Sequence, residues 1–186
     1  CLLLWGCSGS SSASRKEHSG PPRDSTPKVL TPSADGVTVY QNDLASIDAS
    51  NTSQGYVMVK YNGTNEKVKL RITCPDQSCY TYLISDRGAY DTFPLTAGNG
   101  SYALQVLENV AGDTYTVSLA QSINVNIEDE FLPFLYPNQY VNFHTDSKAV
   151  SKGSDLAKDT YSDLDVVQNI YNYVIKNISY DTEKAQ

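Results

Sequence analysis

Between residues 37 and 127 apolar and polar side chains alternate in short runs, and a turn signal interrupts them about every 8–12 positions, the rhythm of an antiparallel β-sandwich. The run at 67–73 is the plainest. Its period of two puts Val68, Leu70 and Ile72 on one face and Lys67, Lys69 and Arg71 on the other, so one face is predicted buried and the other wet. Further strands are predicted at 37–40, 55–61, 79–84, 91–95, 101–108 and 114–120, the last extended by 123–127. Pro94 marks 91–95 as an edge or a strand end, because proline lacks the N–H that a central strand donates. Asn62-Gly63, Gly98-Asn99-Gly100 and Gly112-Asp113 read as turns. Asn62-Gly63-Thr64 and Asn99-Gly100-Ser101 also match glycosylation sequons, but both read better as hairpin turns. The expected fold class is mainly β: an Ig-like antiparallel sandwich over 37–127, followed by a short helical segment.

After Ile127 the alternation stops. Glu128-Asp129-Glu130 leads into 131–141, where Pro133 and Pro137 forbid a regular helix or a central strand. The aromatic residues there are expected to pack an extended linker onto its neighbours. A helix is predicted over 147–158, weakened by Gly153. The segment from Ser162 is stronger. Ser162 is placed to cap it, with Asp165 in capping-box position. Val167, Ile170, Tyr171, Val174 and Ile178 then fall on one helical face, and the helix is predicted to run to Asn177.

Upstream, residues 8–32 are rich in Ser, Gly and Pro and nearly free of apolar side chains. Such a segment buries too little surface to offset its ordering entropy and is predicted to be a disordered tether, stiffened locally by Pro21, Pro22 and Pro27. Before it stands Leu2-Leu3-Leu4-Trp5-Gly6-Cys7, with Cys1 rather than Met at the start, so the natural N-terminus is expected to be missing or removed. The apolar run is too short to span a bilayer. Leu4-Trp5-Gly6-Cys7 resembles the lipobox that ends a bacterial lipoprotein signal, although Trp5 stands where that pattern has a smaller residue. On this reading cleavage precedes Cys7, and the Cys7 sulfur carries the lipid. The expected location is the outer face of the cell membrane, anchored by lipid, with a simply secreted protein as the alternative. An ordinary secretory signal tail or a cloning remnant is the other reading of residues 1–7. The expected organisation is a signal remnant and tether over 1–36, a sandwich over 37–127, and a linker with helices over 128–186.

Composition fits an extracellular β protein. Tyrosine outnumbers phenylalanine 14 to 4, which suits half-exposed sheet faces. The formal charge of −7 repels phosphate backbones and argues against a nucleic-acid partner.

Candidate chemistry is sparse. Cys74 and Cys79 flank Pro75-Asp76-Gln77-Ser78 at the ends of two predicted strands. Residues paired across a hairpin come within disulfide range, and a secreted location permits oxidation, so a structural disulfide is expected; a pair of free thiols is the alternative. The spacing is wrong for a redox dithiol, and no second pair completes a zinc site. His18 falls in the tether and His144 in the proline-rich linker, where no cysteine is close in sequence. His144 is expected to be solvated or locally hydrogen-bonded. Glu128, Asp129 and Glu130 lack calcium-loop spacing and read as a solvated charge run. No phosphate-binding glycine loop follows a strand. No cofactor or metal is expected.

The stretch 165–181 reads Asp-Val-Val-Gln-Asn-Ile-Tyr-Asn-Tyr-Val-Ile-Lys-Asn-Ile-Ser-Tyr-Asp. It resembles the opening helix of bacterial transglutaminase-like domains, with their Ile-Tyr-x-Tyr-Val core and following Asn-Ile-x-Tyr-Asp. Residues 93–102 and 131–140 are similar to the β domain and linker that precede such domains in surface proteins of Gram-positive anaerobes. The resemblance covers 55–186. It implies a papain-like cysteine, histidine and aspartate triad, with the cysteine opening the next helix after a glycine-containing stretch. Those positions would follow Gln186, so no catalytic residue is carried over to this sequence. The implied activity of the parent is acyl chemistry on amide bonds of a protein or cell-wall peptide: cross-linking, deamidation or cleavage. The competing reading is an adhesin-like or cell-wall-binding sandwich with no enzymatic role, which an exposed groove or aromatic patch on the sandwich would favour.

Overall fold

The computed structural model describes residues 20–184. Among them eight strands form two four-stranded antiparallel sheets, and two short helices follow. The first sheet has the order β1-β2-β3-β6, from β1 Val39–Gln41, β2 Ala45–Asp48, β3 Tyr56–Tyr61 and β6 Tyr90–Pro94. The second has the order β5-β4-β7-β8, from β4 Val68–Thr73, β5 Cys79–Leu83, β7 Gly100–Ala111 and β8 Thr114–Val125. The helices are α1 Lys148–Ala157 and α2 Asp163–Asn177. The protein is therefore mainly β, an Ig-like sandwich with a helical C-terminal segment.

The alternating pattern produces the core directly. Ile47, Val57 and Val59 of the first sheet join Leu70, Ile72 and Leu104 of the second in one buried cluster. In β4 the apolar face is buried and Arg71 is exposed. Lys69 keeps its stem on the sheet and places its Nζ 4.1 Å from the centre of the Tyr115 ring. Buried polar groups find partners. Asp48 accepts the Gly36 N–H at 2.7 Å on Oδ2 and the Ser50 N–H at 2.9 Å on Oδ1. The Tyr102 hydroxyl donates to the Gly98 carbonyl at 2.8 Å and accepts the Ala97 N–H at 3.1 Å. Burial pushes its phenol up to about 12.

Four sequence expectations are corrected. β2 was not expected: it becomes a strand because β1 and β3 pair with both its edges. Asn62-Gly63 is not a hairpin turn, since β3 pairs with β2 and β6 while the chain crosses to the other sheet to begin β4. Gly98-Asn99-Gly100 likewise lies on a crossing between sheets, from β6 to β7. Of these three turn signals, Gly112-Asp113 alone closes a hairpin, where Ala111 pairs with Thr114 and Gly112 takes φ +52°.

The fourth correction concerns Cys74 and Cys79, which are free thiols rather than a disulfide. The register of the β4–β5 turn does not pair the two cysteines. Gln77 adopts φ +68°, its N–H donates to the Cys74 carbonyl at 3.0 Å, and the Cys74 N–H donates to Ser78 at 2.8 Å. Cys74 therefore lies opposite Ser78, and Cys79 pairs with Thr73. A one-residue offset reverses the face of a strand residue. Cys74 points into the core, where burial pushes its thiol up, while Cys79 is exposed.

The described chain divides into two compact units, one formed by Pro27–Val150 and the other by 20–26 with 151–184. The linker from 128 to 150 thus belongs to the sandwich unit, beyond the boundary expected at 127. Residues 33–36 also belong there. The Ser33 N–H donates to the Tyr56 hydroxyl at 3.2 Å, and Asn51 Nδ2 donates to the Ser33 carbonyl at 3.0 Å. In the helical unit the Arg23 N–H donates to the Thr160 carbonyl at 2.8 Å, its guanidinium pairs with Asp163, and Ser154 Oγ donates to the Ser25 carbonyl at 2.8 Å. Polar contacts hold these segments where little apolar surface is available, so the loose tether expected over 8–32 does not extend through Arg23 and Ser25.

The start of α2 follows its capping signal. Ser162 Oγ accepts the Asp165 N–H at 3.2 Å, and Asp165 Oδ2 accepts the Ser162 N–H at 2.9 Å. Val167, Ile170, Tyr171, Val174 and Ile178 are exposed.

Candidate functional site

Beyond β8 the chain makes a 3-10 turn at Leu132–Phe134 and then runs back along the open side of the sandwich. Pro133 is buried against Gly55. The Tyr136 ring lies 4.6 Å from that of Tyr56, and its hydroxyl meets Gln54 Oε1 at 3.2 Å. The aromatic linker packs on the sandwich for this reason: prolines block regular pairing, and the rings supply the contact instead.

Residues 138–141 then form a tight loop. Asn138 Oδ1 accepts the N–H groups of Tyr140 at 3.0 Å and Val141 at 3.1 Å. This places Gln139 so that its Nε2 donates both to the Leu83 carbonyl and, at 3.1 Å, to Asp91 Oδ2. Leu83 ends β5 and Asp91 lies in β6, and these are edge strands of different sheets. One amide side chain therefore ties the two sheets together at their free edges. Tyr140 adds a ring contact to Tyr82 at 5.7 Å.

The loop, the β6 edge and residues 85–86 enclose a cleft of about 560 Å³. Its working groups are Asp86, Asp91, Tyr90, Asn138, Gln139 and Asn142, and the buried Met58 also lines it. Among the described residues no lysine, arginine or histidine lines it. Burial pushes the Asp91 carboxyl above its ordinary value of 3.8, and the Asp86 charge adds to this. Hydrogen bonds from the Thr92 N–H, at 2.8 Å on Oδ1, and from Gln139 pull the other way. Chemically, the cleft offers acceptors on its carboxylates and both donors and acceptors on its amides.

The described residues singled out from sequence lie outside the cleft. Cys7 and His18 fall outside the described residues. Cys74 and Cys79 stand at the far end of the β4–β5 hairpin from Leu83. His144 is exposed, and its backbone exchanges hydrogen bonds with Ser147 at 2.9 and 2.8 Å. Glu128 accepts from Gln54 Nε2 at 3.1 Å, and Asp129 accepts the Phe131 N–H at 3.0 Å to start the 3-10 turn. Among the described residues no three acidic, histidine or cysteine side chains gather as a metal site. Nor is any helix there long and apolar enough to cross a membrane.

Sequence reasoning missed the cleft because its walls come from segments far apart in the chain. The available signal was the density of amides in Asn138-Gln139-Tyr140-Val141-Asn142, directly after a proline that ends regular structure. The chain matches no protein-family model and no curated protein.

Proposed function

We propose that the chain is a non-catalytic portion of a secreted, lipid-anchored bacterial surface protein, and that its sandwich is a recognition module. The carrying observation is the polar cleft at the β6 edge, built by a loop whose Gln139 bridges both sheets. A pocket on a rigid sheet edge, lined by groups that fix orientation, is the form of a small-ligand site. The anchor part rests on the lipobox-like Leu4-Trp5-Gly6-Cys7 and on the polar segment after it. In bacteria carrying the gene and fed labelled palmitate, the protein takes up label, and Cys7→Ser abolishes the labelling and releases the chain to the medium. The released chain then rebinds washed cells, and Asn142→Ala weakens that rebinding. Label retained in Cys7→Ser would sink the anchor. A released chain that does not rebind would sink the recognition role.

A second reading concerns the parent protein, which we propose to be a transglutaminase-like cysteine enzyme acting on amide bonds. The exposed apolar face of α2 supports it, because Val167, Ile170, Tyr171 and Val174, followed by the exposed Ile178 at the C-cap, form the stripe that an opening helix would turn toward the rest of such a domain. A reading frame that continues past Gln186 into a Gly-x-Cys helix is the expected result. A stop codon there would remove the enzyme parent and leave the recognition module alone.

A further inference from the structure

The ligand class follows from the groups in the cleft, and this step rests on the recognition role. We propose that the cleft at the β6 edge binds a neutral carbohydrate, with Asp86 and Asp91 accepting from sugar hydroxyls and the Asn138 and Asn142 amides donating to their neighbours.

Elimination and fit both lead there. Two carboxylates and, among the described residues, no cationic side chain line the cleft, which disfavours phosphates, uronic acids and other anions; Lys60, outside the lining, has its Nζ 5.0 Å from the centre of the Tyr90 ring. An apolar ligand would strand the amides and carboxylates without partners. A metal ion has too few ligands among the described residues. An ammonium is the closest competitor, since it suits two carboxylates. It only donates, however, and gives the NH₂ groups of Asn138 and Asn142 nothing to bind. Both Asp91 oxygens already take protein donors, from Thr92 and Gln139, so each keeps capacity for a modest additional bond. Neighbouring hydroxyls both donate and accept, and they match a lining that offers both carboxylates and amides. The volume of about 560 Å³ accommodates a short oligosaccharide.

The test titrates the full chain with chito-, cello- and malto-oligosaccharides, and separately with spermidine, by calorimetry and saturation-transfer NMR. At least one saccharide series is expected to bind. Asn142→Ala, at an exposed position, is expected to weaken it at least about tenfold, in keeping with the loss of one good hydrogen bond to a buried ligand. Asp113→Asn, in the β7–β8 turn, leaves it unchanged. Circular dichroism confirms that each variant is folded. Spermidine binding without saccharide binding would overturn the carbohydrate assignment. Saccharide binding that Asn142→Ala and Asp91→Asn leave intact would overturn the location. If no saccharide binds while the chain still rebinds cells, the carbohydrate assignment fails and the recognition role stands. If both are absent, both fail.

Discussion

Gly55→Ala lowers the stability of the chain by about 2–5 kcal/mol, from ~1–2 for a left-handed backbone and ~1–3 for overpacking. Gly55 has φ +81° and closes the 3-10 turn Thr52–Gln54, with its N–H on the Thr52 carbonyl at 3.0 Å. A methyl group there would sit 2.4 Å from Pro133 Cγ and 2.8 Å from Cδ. A proline ring cannot swing aside as a long side chain does. The alternative to strain is to undock the linker, which loses the Tyr56–Tyr136 contact and the Tyr136–Gln54 hydrogen bond. Gly88 separates the two contributions. It has φ +73° but nothing within 4 Å of a built methyl, so Gly88→Ala carries only the backbone cost. Urea unfolding followed by circular dichroism compares the two variants. Equal losses would show that Pro133 does not press on Gly55.

How much of this was legible in the sequence depended on whether the signal was local. Val68, Leu70 and Ile72 announce a buried face by their own spacing, and Ser162 with Asp165 announces a helix start by its own chemistry. β2 does not. Ala45-Ser46-Ile47-Asp48 has one large apolar side chain and becomes a strand because β1 and β3 flank it. Asn62-Gly63 carries a turn signal that is the same for a hairpin and for a crossing between sheets. What decides is that β2 and β6 already occupy both edges of β3. The cysteine pair failed on a single residue of register, because the turn with its left-handed Gln77 sets Cys79 opposite Thr73 and turns it outward. The cleft was the least legible feature. Asp91 and Gln139 are separated by 48 positions in sequence and meet only because β5 and β6 are edge strands of opposite sheets.

The same edge supplies the other large effect, Phe93→Ala, which is expected to cost about 3–5 kcal/mol, the range for emptying a fully buried aromatic position. Phe93 is wholly buried in β6, paired with Val57 of β3. Its ring meets Tyr82 of β5 edge-on, with centroids 5.2 Å apart and an interplanar angle of 65°. Tyr82 in turn touches Tyr140 of the cleft loop. The three rings thus run from the first sheet through the second to the loop, parallel in role to the Gln139 amide. Removing Phe93 leaves a cavity that the surrounding strands cannot close without shifting β6, and Asp91 lies two residues away on the same strand face. Phe131→Ala is the matched control. Its ring is 62% exposed, so its loss stays within about 0.5 kcal/mol. A double-mutant cycle of Phe93→Leu with Tyr82→Leu isolates the ring pair, expected at about 0.5–1.5 kcal/mol beyond the area buried. Additive losses in that cycle would mean that the rings merely fill space. Coupling, together with weakened cell rebinding by a folded Phe93→Leu variant, would show that the aromatic run holds the cleft in shape.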